Sequence, residues 1–271
     1  MLFILLLIIG FIGGILAGLL GVGGGLIFTP VLFLLFDGNV DQPVIWTIAT
    51  SLLCTFFAAL GSVRKHYSMN NLFIQESLKV ALFGVLGTQI GKQITLSPWY
   101  SRTHFVLLFS SILAYTSITF FKGKKETPVS TIYNPKNTLP VHWQAAALAG
   151  GAGGILATLA GVGGGIIMVP ILTIAFGIHF RKAVSISSFV IVFISLSAWI
   201  LYSLEVPVSS GLSSITKGFV DFGTGLPLII GALLGSGTGV WLTGKIQKRK
   251  LELIFAILAL VIIVRLISGL F

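Results

Sequence analysis

The chain has 271 residues, 55% of them hydrophobic and 9% charged, with 17 Lys and Arg against 7 Asp and Glu for a net charge of +10. An ordinary soluble domain carries roughly a quarter charged residues, so this composition, with a mean hydropathy of +1.05, excludes most soluble folds and leaves no room for a separate soluble domain. The basic excess does not require a nucleic-acid partner, because membrane proteins concentrate Lys and Arg in cytoplasmic loops.

In chain order, apolar segments run over about 2–20, 26–36, 43–62, 71–95 and 103–121, then over about 143–160, 166–177, 183–204, 213–243 and 251–270. The first begins Met1-Leu2-Phe3-Ile4 with no basic residue ahead of it and continues beyond signal-peptide length, so it reads as a retained membrane segment. The second segment of each set has 11 or 12 residues, which at 1.5 Å per residue covers about half of a ~30 Å hydrocarbon core. Each half therefore reads as a helix, a half-helix after a glycine break, and three further segments. Between them Lys122 to Pro140 is polar and proline-bearing. These features predict an all-α polytopic membrane protein with two transmembrane repeats of about five helical segments, residues 1–121 and 143–271, joined by a cytoplasmic linker over 122–142.

The repeat is explicit in the residues. Gly14 to Leu32 superposes on Gly154 to Leu172 at a shift of 140, with 13 of 19 positions identical, including Gly21-Val22-Gly23-Gly24-Gly25 against Gly161-Val162-Gly163-Gly164-Gly165 and Pro30 against Pro170. Corresponding loops carry opposite charge. Asp37 and Asp41 match His179, Arg181 and Lys182; Arg64, Lys65 and His66 match a loop around Glu205; and the loop near Trp99 matches Lys245, Lys248, Arg249 and Lys250. Opposite charge at equivalent loops implies opposite orientation, hence inverted repeats in a multi-pass cell (inner) membrane protein with both termini outside.

The glycine runs are the main candidate site. Such runs are costly inside a membrane unless their backbone is buried in protein or lines a polar cavity. A helix starting just after one aims free N–H groups and its positive dipole end at that cavity, which suits an anion. The residues concerned are Gly23, Gly24, Gly25 and Leu26 with Gly163, Gly164, Gly165 and Ile166; the alternative is close helix packing through small residues. Thr50-Ser51 and Ser187-Ser188, at matching positions of the third and eighth segments, add candidate hydroxyl donors; alternatively they bond their own backbone or a neighbouring helix. Ser185, Ser195 and Ser197 have no such recurrence.

Glycines at four-residue spacing, Gly10/Gly14/Gly18, Gly150/Gly154, Gly87/Gly91 and Gly231/Gly235/Gly239, predict close helix packing. Lys217 and Asp221, one helical turn apart, are expected to pair. Neither a Walker loop nor a dinucleotide fingerprint is present, since Leu26 or Ile166 follows the glycines. The buried-thiol candidate Cys54 has no metal-ligand spacing around it. No cofactor, metal or catalytic residue is expected: there is no Gly-x-Ser-x-Gly, and the four His fall near segment ends.

The doubled motif, Gly21 to Pro30 and Gly161 to Pro170, in a short basic polytopic chain resembles the TauE/SafE sulfite exporter family of membrane transporters, and the resemblance covers essentially the whole chain. It implies secondary transport, generally export, of small sulfur-containing anions such as sulfite or organosulfonates, with membrane lipid around the protein and a proton or sodium ion as possible coupling ion. An anion-selective channel using the same dipoles is the alternative. Thr158 and Ala160 stand where the first copy has Gly18 and Leu20, so the two half-sites are not identical.

Overall fold

The computed structural model describes residues 1–122, 140–207, 210–242, 259–266 and 268. Residues 123–139 of the expected linker, and with them Lys124, Lys125 and Lys136, lie outside the described residues, as do Lys245, Lys248, Arg249, Lys250 and Glu252. The described chain is nearly all helical. The order is α1 Leu2–Leu20, α2 Gly25–Phe36, α3 Pro43–Ser68, α4 Ile74–Thr95, α5 Arg102–Lys122, α6 Trp143–Ala160, α7 Gly165–Pro170 with a π-helical continuation Ile171–Ala175, α8 Phe180–Ser203, a hairpin of β1 Thr216–Lys217 and β2 Val220–Asp221, and α9 Phe222–Leu242. Residues 259–266 are again helical. Helices α1, α3, α6, α8 and α9 are long and apolar enough to cross a membrane, and Gly25–Phe36 and Gly165–Ala175 are the shorter apolar helices.

The helix pairs α1·α9 and α4·α6 are zipped by glycine. A Cβ on Gly10, Gly14 or Gly18 would run into the backbone of Leu228, Ala232 or Ser236, and one on Gly231, Gly235 or Gly239 into that of Leu7, Phe11 or Ile15. Rising numbers meet rising numbers, so α1 and α9 run parallel. The same holds for α4 and α6, where Gly150 meets Val80, Gly154 meets Gly84, and Gly87 and Gly91 meet Gly151 and Ile155. Removing the side chain lets two backbones approach closely, as in small-residue membrane interfaces. The opposite face of α4 is apolar and exposed at Leu78, Leu82, Leu86 and Ile90.

Helices α3 and α8 form the centre, and they run antiparallel. Ser185, in the second turn of α8, donates to the carbonyl of Asn71 just past the end of α3. At the other end, Phe219 N–H donates to Tyr202 O near the end of α8, while the adjoining Asp221 N–H donates to Thr50 Oγ1 near the start of α3 at 3.1 Å. The end with α3's C-terminus holds Arg64, Lys65, Lys79, Arg181 and Lys182 against Glu76. There Lys182, 2% exposed, lies 2.7 Å from Glu76 and over the ring of Phe73. The far end holds Lys92 bonded to Glu205 and Arg102, 2.8 Å from Asp37.

One expectation is corrected here. Lys217 and Asp221 are not one turn apart on a helix: Thr216 pairs with Asp221 and Lys217 with Val220 across a tight antiparallel turn, with Gly218 at φ 56. The helix starts only at Phe222, because the Asp221 carboxylate caps it, accepting from Thr224 N–H at 3.0 Å. Asp is a strong N-cap former, and a helix begins after such a residue rather than running through it.

Candidate functional site

The Gly-Val-Gly-Gly-Gly sequence follows from the backbone that it builds. α1 ends on Gly21 at φ 66, whose N–H bonds Ala17 O, and α6 ends on Gly161 at φ 70, whose N–H bonds Ala157 O. Gly24 at φ 73 and Gly164 at φ 79 then start α2 and α7, with Gly23 and Gly163 left-handed as well. L-residues with a side chain rarely adopt this conformation. The fourth glycine is needed for another reason: a Cβ on Gly25 would stand 2.6 Å from Gly161 O and from Val162 Cα, and one on Gly165 would strike Gly21 O. The two loops thus press against each other backbone to backbone.

They meet halfway along the central helices. Cβ positions built on Gly23 and Gly163 lie 2.9 and 2.6 Å from Thr55 Cγ2 of α3, and 3.1 and 3.2 Å from Ile191 Cγ2 of α8. Val22 to Leu26 and Val162 to Ile166 are all buried. In each loop the first glycine N–H closes the preceding helix, and Ile27, Phe28, Ile167 and Met168 donate back to Gly24 and Gly164. The N–H groups of Val22, Gly23, Gly24, Gly25 and Leu26, and of Val162, Gly163, Gly164, Gly165 and Ile166, have no protein acceptor among the described residues. Buried backbone N–H groups without an acceptor are rare in proteins. Ten of them lie in two loops that press against each other.

The predicted hydroxyls divide into different jobs. Ser51 Oγ donates to Gly161 O at 2.9 Å and lies 2.8 Å from Thr29 Oγ1, which also donates to Gly161 O. Ser187 Oγ donates to Gly21 O at 2.8 Å. Each thus ties the opposing glycine loop from the central helices. The corresponding residues are Ser51 and Ser187, a shift of 136, one residue off the pairing drawn from the sequence. The α7–α8 connection is shorter than the α2–α3 one, and this absorbs the change. Thr50 is outside the site, accepting from the hairpin. Ser188 Oγ is buried without a partner among the described residues.

Two further hydroxyl-bearing residues stand beside the loops, Thr55 with its methyl Cγ2 against them and Ser195, which the sequence set aside for want of a counterpart. Thr55 Oγ1 and Ser195 Oγ have no hydrogen-bond partner among the described residues, and both residues are fully buried. Ser195 Oγ lies 3.8 Å from the Cβ position of Gly163. Helical spacing carried the signal: Thr47, Ser51 and Thr55 follow at i, i+4, i+8 on α3, and Ser188 and Ser195 at i, i+7 on α8.

The end of α6 is held separately. Helix-terminal carbonyls lack intrahelical donors; here Tyr100 Oη donates to Leu159 O at 2.7 Å, and Thr95 Oγ1 and Tyr202 Oη donate to Thr158 O. Burial pushes the Tyr100 phenol up from its ordinary value, so it stays a neutral donor. Among the described residues, no group of three or more His, Cys, Asp or Glu could hold a metal ion.

A polytopic helical protein whose two glycine-broken helices bring unpaired backbone donors together halfway along its central helices has the build of a membrane transporter. The family model for the sulfite exporter TauE/SafE matches residues 6–266, and the chain belongs to that family. Among its relatives, the Probable membrane transporter protein MJ0441 of Methanocaldococcus jannaschii is 27% identical, over 93% of this chain and 90% of the relative. The Probable membrane transporter protein YunE of Bacillus subtilis is 26% identical over 99% of each, and a Probable membrane transporter protein of Haemophilus influenzae is 25% identical over 97% and 98%. No solved structure matches the chain. Family and relatives are described as transporters, not enzymes.

Proposed function

We propose that this protein exports a small sulfur-containing oxyanion, sulfite or an organosulfonate, by alternating access between inverted repeats spanning residues 1–121 and 143–271. The observation that carries this reading is the set of ten buried backbone N–H groups without acceptors in two facing loops. Backbone N–H groups donate and carry no net charge, so they hold an oxyanion without placing a lysine or arginine in the membrane. The sulfur chemistry comes from the family's description.

Direction and symmetry support inverted repeats. α3 and α8 are antiparallel, and Ser51 and Ser187 make the same bond to opposite loops. The more basic end is then cytoplasmic, and the Leu78, Leu82, Leu86 and Ile90 stripe faces lipid. The pairs α1·α9 and α4·α6, each zipped too tightly to shear, rock as units about α3 and α8. Burial of both loops on all sides supports a carrier occluded around its cargo over an open channel. Nothing in the sequence matches an ATP-binding loop, so a proton or sodium gradient, or the substrate's own gradient, supplies the energy.

Purified protein in liposomes, loaded with sulfite and diluted into labelled sulfite, is expected to show saturable counterflow, tested with and without pH and sodium gradients. Single-channel current without counterflow would refute the carrier reading.

A further inference from the structure

The unpaired N–H groups of the loops are donors only, since a backbone N–H never accepts, and two of the loop carbonyls are committed: Gly161 O accepts from Ser51 and Thr29, and Gly21 O from Ser187. Beside the loops stand Thr55 and Ser195, fully buried, with hydroxyls that no group among the described residues engages. A hydroxyl donates and accepts. The pseudo-twofold does not repeat them: at the shift of 136, Thr55 corresponds to Ile191 and Ser195 to Ala59. One wall of the site is thus hydroxylic and the other aliphatic, with Ile191 Cγ2 against both loops.

Charge points the same way. Lys182 is nine residues from Ile191, about 13 Å along α8, and is held by Glu76; Lys92 and Arg102 are bonded at the far end. The site therefore offers neutral donors. The cost of removing an ion from water grows with the square of its charge, whereas its attraction to fixed neutral dipoles grows only in proportion. Dipoles that suffice for a monoanion fall short for a dianion.

We infer that the site takes a singly charged oxyanion bearing one O–H, such as hydrogen sulfite, with the backbone of the two glycine loops holding its oxygens and the Thr55 and Ser195 hydroxyls sharing the hydrogen bond that its O–H donates. Thr55 and Ser195 are then specificity-determining residues, and fully ionised sulfite and sulfate are poor cargo. This rests on the transport reading above.

The test is sulfite counterflow in proteoliposomes, at equal pH on both sides and with the membrane potential clamped. The KM expressed as total sulfite is expected to rise as pH climbs through neutrality, while the KM expressed as hydrogen sulfite stays constant. Methanesulfonate, a monoanion, is expected to compete, and sulfate, a dianion, to compete at least about tenfold less well. Thr55→Val and Ser195→Ala are each expected to raise the hydrogen sulfite KM severalfold, since each removes one of the two acceptors of its single O–H. Methanesulfonate has no O–H to lose, so its inhibition is unmoved. Thr55→Ser should behave as wild type. Equal inhibition by sulfate and methanesulfonate, a pH-independent KM in total sulfite, or an unchanged KM in a Thr55→Val protein that melts like wild type would each overturn this inference and leave the transport reading standing. Absence of counterflow for every anion would overturn both.

Discussion

Gly25→Ala isolates the contact between the two loops. Gly25 is helical, so alanine suits its backbone, and any effect comes from the methyl itself. That methyl would lie 2.6 Å from Gly161 O and Val162 Cα, about 0.8 Å inside ordinary contact at 3.4 Å, and its neighbours are backbone atoms that cannot rotate away. Overpacking of this kind costs about 1–3 kcal/mol, offset by up to about 1 kcal/mol of helix propensity, less at a helix start. The penalty falls on the state with both loops in contact. Since each 1.4 kcal/mol is a factor of about ten in population, the counterflow rate should drop by about ten- to a hundredfold at the upper end, with melting temperature and yield close to wild type. Gly151→Ala is the control, since its methyl meets nothing within 4 Å, and it should match wild type or gain slightly in stability. A Gly25→Ala protein that transports at the wild-type rate would refute the claim that loop contact is part of the cycle.

Other outcomes follow from the packing. Gly154→Val, whose side chain would overlap the Gly84 carbonyl, is expected to lower the melting temperature in detergent by several degrees; an unchanged melt would show that α4 and α6 are not in close contact. Lys182→Met alone strands Glu76 and should cost up to about 3 kcal/mol, whereas Lys182→Met with Glu76→Leu should recover most of it; a double mutant no more stable than the single refutes the pairing. Asp221→Ala removes the acceptor for Ser213 N–H and Oγ and for Thr224 N–H. It should destabilise the hairpin and α9 start by about 1–2 kcal/mol, seen as faster hydrogen exchange in residues 211–226 and not elsewhere.

The sequence announced the two glycine turns because a glycine run is a backbone instruction. Left-handed dihedrals and backbone-on-backbone contact admit almost nothing else, so Gly21 to Gly25 and Gly161 to Gly165 were legible, as were the glycine ladders. Hydroxyls were less so. A serine in a membrane helix bonds a carbonyl, a ligand or nothing according to which way its face turns, and that depends on the partner helix. Ser51 and Ser187 therefore turned out to tie down loops, Thr50 to hold the hairpin, and Thr55, with Ser195 that had no counterpart in the other half, to stand beside the loops. Matching the halves by residue type gave the shift of 137, and only the bonds to Gly21 O and Gly161 O fixed it at 136. The hairpin was missed because four-residue spacing between Lys217 and Asp221 fits a helix as well as a turn, and Gly218 decided between them.

The pairing of α1 with α9 and of α4 with α6 also sets an order of assembly. The ridge at Gly10 is made early in synthesis, and the backbone at Leu228 that it receives follows more than two hundred residues later. Until then α1 must wait in the bilayer with its glycine groove filled by lipid tails, and the α6 groove becomes available to α4 sooner. Maturation thus closes from the middle of the chain outward, with the first helix inserted among the last to find its place. The longest wait falls on the helix whose end carries the first glycine loop, so the contact between the two loops should form only at the final step of folding.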